Sequence, residues 1–123
     1  MIRDVCIAAA HMLGLTEDAE ALAGDDCPEE LAAEYLRLYG LVVSEIAEEY
    51  RRGEDAGLAS SPSLTDGEAE LTGISRRMLA YGVAAEYAIT RGMDVAEMWE
   101  ERFKSALALA KRPPVRIPQR RFV

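Results

Sequence analysis

The chain has 123 residues, half of them hydrophobic, 29% charged and with a net charge of −8, which bounds it to one domain with a modest core. No apolar run approaches the roughly 20 residues needed to cross a membrane, and two cysteines, Cys6 and Cys27, are too few for a disulfide framework. The charge is uneven: Lys111, Arg112, Arg116, Arg120 and Arg121 stand without an acid at the C-terminal end, so the other nine basic groups face all 22 acids. An acidic body repels nucleic acid at long range, while the basic end suits either phosphate or an acidic protein surface. The two cysteines are expected as buried free thiols in a reducing cytoplasm.

The opening stretch, MIRDVCIAAAHMLGL, has an arginine before an apolar run. Asp4 in the would-be basic region and an amphipathic pattern argue against a signal peptide. Ile2 to Leu13 reads instead as a helix, with Ile2, Val5, Cys6, Ala9 and Leu13 on one side and Gly14 ending it. Thr16 is placed to cap a short second helix through Leu22, with Glu17 and Asp18 favourable in its first turn and Gly24 closing it. Asp26 as cap, Pro28 in the first turn and the neighbouring acids then start a long helix that runs to about Tyr50. Leu31, Tyr35, Leu38, Val42, Ile46 and Tyr50 recur at helical spacing along it.

From Arg51 to Thr72 the pattern disappears into a Gly-, Ser-, Asp- and Glu-rich loop of about twenty residues, long for a compact domain. Glu68 to Leu71 alternates weakly and is a candidate short strand. Leu58 and Leu64 are nearly the only large apolar residues of Gly53–Gly67. That stretch is therefore expected to pack little within its own subunit, to be mobile there and to order against a neighbour.

The most informative region begins at Ser75. Met78, Leu79, Tyr81, Val83, Tyr87 and Ile89, with Ala80, Gly82, Ala84, Ala85 and Ala88 between them, predict a helix over Ser75–Ile89 that is apolar on nearly every face. Such a helix belongs in a core or between subunits. Gly92 supplies a left-handed residue to end it. Asp94 and Glu97 have capping-box spacing, and Met93 and Met98 have that of a hydrophobic staple. A last helix is therefore expected over Val95–Lys111, with a stripe of Val95, Met98, Trp99, Phe103, Ala106, Leu107 and Ala110. Pro113 and Pro114 stop it. The remaining twelve residues, RPPVRIPQRRFV, hold four arginines, three prolines and no acid.

The residue types that carry chemistry are sparse. His11 is the only histidine, and with Cys6 five residues away it makes no zinc set. The glutamates of the long helix lack the Glu-x-x-His pairs of carboxylate-bridged metal bundles. There is no glycine-rich phosphate loop and no nucleophile elbow. The chain is therefore expected not to be an enzyme, with no catalytic, cofactor-binding or metal-binding residue. Glu86, among alanines and tyrosines, is expected to bond a tyrosine hydroxyl or an arginine such as Arg37 or Arg77. Arg76 and Arg77 oppose the dipole of the helix they begin, so an acidic partner is expected nearby.

Taken in order, RDVCIAAAHMLGL, LRLYGLVVSEIAEEY, RMLAYGVAAEYAITRGMDVAEMWEERFKSAL and the basic end closing in RRFV resemble the small head–tail connector (adaptor) proteins of tailed bacteriophages and prophages. LAYGVAAEY followed by MWEERFKSAL is the most specific part. The middle segment is shorter here than in similar proteins, where it often carries β-strands. The resemblance implies a structural virion protein at the head–tail interface, assembled in the host cytoplasm. Its copies would form a ring, typically dodecameric, beneath the portal protein. The ring would extend the channel through which double-stranded DNA passes without sequence-specific binding, and would offer a platform to a stopper or tail-completion protein.

The expected architecture is thus all-α: a small helical bundle over residues 1–111 with a C-terminal αα-hairpin, a long loop at 51–72 and an extended basic arm at 112–123. In that arm, which docks on the portal from Arg112 onward, Arg116, Arg120 and Arg121 would make salt bridges, while Ile117, Phe122 and Val123 fill pockets. The prolines lower the entropy cost of docking. The arm is expected to be disordered in the free protein and dispensable for the fold. The competing reading is a small helical regulator that binds nucleic acid through the arm. The acidic body and the lack of a basic recognition helix count against it.

Overall fold

The computed structural model describes residues 1–49, 62–71 and 73–111, Lys111 as backbone. Among them the chain forms five helices and no strand: α1 (Ile2–Met12), α2 (Thr16–Ala23), α3 (Glu29–Glu49), α4 (Arg76–Thr90) and α5 (Ala96–Lys111). The candidate strand at Glu68–Leu71 is not formed. Tyr50, Leu58, most of the 51–72 loop and the whole arm lie outside the described residues.

Helix starts and stops follow local chemistry, with some shifts of register. Gly14 (φ +74°) turns the chain out of α1, its amide bonding the His11 carbonyl at 3.0 Å. Thr16 is the first residue of α2 rather than its cap; Leu15 holds the cap position and no side chain bonds there. Pro28 rather than Asp26 precedes α3, its carbonyl accepting the Ala32 amide at 3.0 Å. Ser75 caps α4, its hydroxyl accepting the Met78 amide at 3.3 Å. Gly92 (φ +62°) follows α4 as expected. The carbonyl of Val95, not Asp94, opens α5 by accepting from Trp99 at 3.2 Å. The cap therefore lies one residue beyond the expected one, and Asp94 and Glu97 are out of register for a capping box.

The core is built around α4, which lies against α1, α3 and α5, while α1 also touches α2 and α3, and α2 touches α3. Leu79, Ala80, Gly82, Val83, Ala84, Ala85, Tyr87 and Ala88 of α4 are all buried, the buried role expected of its small-residue composition. Around it close Ile2, Val5 and Cys6 of α1, Leu22 of α2, and Tyr35, Leu38, Tyr39, Val42, Val43 and Ile46 of α3. Gly82 allows the closest approach. A Cβ there would sit 2.6 Å from Val42 Cγ1 and 2.8 Å from Phe103 Cε1, so only a glycine fits between α3 and α5.

Part of the middle segment contradicts its expectation. Leu64 is only 7% exposed and belongs to the core cluster, as does Leu71. The strap over residues 62–71 is tied down by backbone bonds: Ile2 N–H to the Asp66 carbonyl at 2.8 Å and Arg3 N–H to the Leu64 carbonyl at 3.0 Å. These satisfy two of the amides that the start of α1 leaves without an intrahelical acceptor. The Tyr39 hydroxyl, at 2.7 Å, accepts the Ala69 amide and fixes the other end to α3. The segment from Pro62 onward is thus a structural strap of its own subunit.

Candidate functional site

The residues assigned to docking, Arg112, Arg116, Ile117, Arg120, Arg121, Phe122 and Val123, lie outside the described residues; the structure describes the helix from which they issue. α5 presents Trp99, Phe103 and Leu107 to the core. Tyr81 packs on Trp99 with ring centroids 5.9 Å apart, and Gly82 faces Phe103. The short connection over residues 91–95 and the extended contact between the two helices make α4 and α5 an antiparallel hairpin. They bring the start of α4, with exposed Arg76 and Arg77, toward the half of α5 from which the arm departs.

Arg76 has the acidic partners its position demanded. Its Nε donates to Glu68 Oε1 at 2.6 Å, and Asp4 Oδ2 lies 3.7 Å from its Nη2. Arg77 is exposed, and so adds positive charge near the root of the arm.

Glu86 departs from its expectation. It is half-buried and its carboxylate bonds neither a tyrosine nor an arginine among the described residues; its carbonyl accepts from Thr90 Oγ1 at 2.8 Å. It belongs to an acidic seam with Glu45, Glu49 and Glu100. Burial first, then Glu49, Glu86 and Glu100, hold the Glu45 carboxyl above the usual carboxylate range, while Lys104 counters them. Lys104 also pairs with Glu100 at 2.8 Å.

At the other end of the bundle, Arg91 makes a polar latch that has no signal in the local pattern. It pairs with Glu34, 57 residues earlier in the chain, donates to the Tyr87 hydroxyl at 2.9 Å and lies 4.3 Å above the centre of the Tyr87 ring. Tyr87 stacks on Tyr35 at 5.5 Å, and the Tyr35 hydroxyl donates to Asp18 Oδ2 at 2.9 Å. Burial, reinforced by Asp18, pushes the Tyr35 phenol far above its usual range. The latch joins α2, α3 and α4, and its phenols stay protonated at neutral pH.

The remaining reactive groups are inert or isolated. Cys6 and Cys27 are both free thiols, as expected, though Cys27 is only half-buried. Burial pushes the Cys6 thiol up to about 12, which leaves it protonated and unreactive at neutral pH. His11 is exposed on α1. Among the described residues no three His, Cys, Asp or Glu side chains converge as metal donors, and no helix is long and apolar enough to cross a membrane.

Two shallow grooves carry exposed apolar surface. One follows the outer side of the hairpin, lined by Tyr81, Met98, Glu101, Arg102, Ala106 and Leu109. The other lies across α3 and the strap, where Arg3 sits among Ala32, Ala33, Leu36, Pro62 and Leu64. Comparison of the chain with protein-family models, curated proteins and solved structures finds no match.

Proposed function

We propose that the chain is a structural head–tail connector of a tailed bacteriophage or prophage, a subunit of a ring beneath the portal. The observation that supports this reading is the closed hairpin with a basic extension. Among the described residues the last buried one of α5 is Leu107, and the twelve residues after Lys111 carry the basic charge that a partner would meet. Their arginines match acidic protein surface, and Ile117, Phe122 and Val123 offer apolar anchors that a phosphate backbone would not use. Three prolines favour an extended arm. A ring presents many arms at once, so weak docking by each becomes strong attachment by avidity. The acids of the body leave passing DNA without strong cationic contacts.

Deletion of residues 112–123 is expected to leave helicity and thermal melting unchanged and to abolish attachment to DNA-filled heads. A truncated protein that unfolds, or that still joins heads at the wild-type level, overturns this assignment of the arm. Low-salt DNA binding that disappears with the arm, together with undiminished head attachment, favours the nucleic-acid-binding regulator instead.

A further inference from the structure

Two apolar surfaces without a partner among the described residues lie on opposite sides of this subunit, each lined by charges of both signs. The first is the outer side of α5. This helix touches only α4, whereas every other helix touches at least two. Its inner stripe is covered, but Met98 is 40% and Leu109 66% exposed, and Glu101 lies between them in sequence and lines the same groove. The second surface is the groove on α3 and the strap. Arg3 lines it, half-buried, with a buried Nε that has no hydrogen-bond partner among the described residues. A buried guanidinium donor without an acceptor is costly, and its natural complement is a carboxylate.

The opposition of the two faces can be read along α3. Glu45 faces the α5 side, since its carboxyl senses Glu100 and Lys104. Leu36, which lines the groove, is nine residues earlier, or two and a half turns at 3.6 residues per turn. Half a turn of excess places the groove on the far side of the helix from α5.

We infer that the outer face of α5 in one copy docks into the α3–strap groove of a second copy, with Glu101 set against Arg3, the basic residue of the groove's lining. Met98 and Leu109 cover Ala33 and Leu36, and Arg102 faces the acids Asp25 and Glu29 of the groove's lining. The two surfaces are different and lie on opposite sides, so the contact is head-to-tail and repeats into a ring or a filament rather than closing a two-fold dimer. This deepens the ring of the connector reading by naming its lateral contact, and it rests on that reading only for its biological setting.

The test is a charge exchange on the full-length chain, read by sedimentation velocity over a concentration series, with circular dichroism as the control for folding. The wild-type protein is expected to associate beyond a dimer. R3E and E101R should each weaken association at least about tenfold. An equimolar mixture of the two should recover it, because alternating copies restore opposite charges at every contact. L109D, at an exposed position, should keep the fold and weaken association as E101R does, which carries the test if R3E does not fold. A wild-type protein that stays monomeric throughout, a folded R3E that associates normally, or a mixture no better than its components each overturns the contact. Attachment of the wild-type protein to heads is measured separately. It can succeed while this contact fails, or fail while this contact stands.

Discussion

The two halves of the C-terminal hairpin solve burial in opposite ways. α4 is surrounded by α1, α3 and α5, and it accommodates three neighbours by being narrow: Ala80, Gly82, Ala84, Ala85 and Ala88 let backbones approach. α5 has one neighbour and large side chains. It reaches the core through Trp99, Phe103 and Leu107 and leaves Met98 and Leu109 outside. Composition alone separates the roles. A helix of small apolar residues is a hub, whereas a helix with few large anchors and polar residues between them is a lever docked on one side. The bundle α1–α4 thus supplies the frame, and α5, docked on it through α4, leads into the basic C-terminal residues.

The sharpest break of this comparison lies within α5, at two leucines two positions apart. Leu107 is 1% exposed and Leu109 is 66% exposed. Leu107→Ala is expected to cost about 2–5 kcal/mol, a drop in Tm of roughly 10 °C or more, and to release α5 before the rest. In hydrogen exchange the amides of α5 should open at a lower free energy than those of α3 and α4. Leu109→Ala should change stability by no more than about 0.5 kcal/mol. Equal costs at the two sites would mean that α5 has a second neighbour in the free subunit.

The hub is tested at Gly82. Alanine is the better helix former by about 0.8–1.0 kcal/mol, so propensity alone makes Gly82→Ala stabilising. The added Cβ would stand 2.6 Å from Val42 Cγ1 and 2.8 Å from Phe103 Cε1, and such overpacking costs about 1–3 kcal/mol. The clash wins, and chemical denaturation should show a net loss. Val42→Ala in the same chain removes one of the two atoms and should recover part of it. A stabilised single variant would show that α3 and α5 do not converge on α4 this closely.

What was legible in the sequence follows the same division. The hub could be read because its character is compositional, and α3 because Tyr35, Leu38, Val42 and Ile46 keep helical spacing. Ser75 and Gly92 stand at the ends of α4 as their local chemistry demands. The start of α5 was misread by one residue, because Asp94 and Glu97 have the right spacing while the backbone turn uses Val95. The strap was missed for a different reason. Leu64 and Leu71 are isolated apolar residues in a polar stretch, with no period to report, and only tertiary packing brings them into the core. Arg91 likewise gains its role from Glu34 and Tyr87, which no local pattern links to it. Glu86 was correctly singled out as unusual, but its neighbours turned out to be other carboxylates, an arrangement visible only once α3, α4 and α5 are assembled.

That acidic seam yields the smallest effect and the finest test of how α5 sits on the frame. Glu45 of α3 meets Glu86 of α4 and Glu100 of α5, with Glu49 beside it on its own helix and Lys104 as the opposing charge. Its carboxyl is held above the ordinary value of 4.5, chiefly by burial. A raised carboxyl in the folded state means that the native protein binds this proton more tightly than the unfolded chain does, so stability falls as pH rises through the folded value. The destabilisation is fully present at neutral pH and disappears as pH falls through the raised value toward 4.5. Glu45→Gln removes the charge and keeps the shape. It should raise Tm at pH 7 by roughly 2 °C, and the gain over wild type should shrink to nothing in acid. Glu100 adds to this burden only if α5 is docked, and without Glu100 its partner Lys104 is released to counter Glu45. The gain from Glu45→Gln should therefore be smaller in a Glu100→Gln background; an unchanged gain would mean that the burden on Glu45 comes from α3 and α4 alone, with α5 farther from the frame than the seam implies.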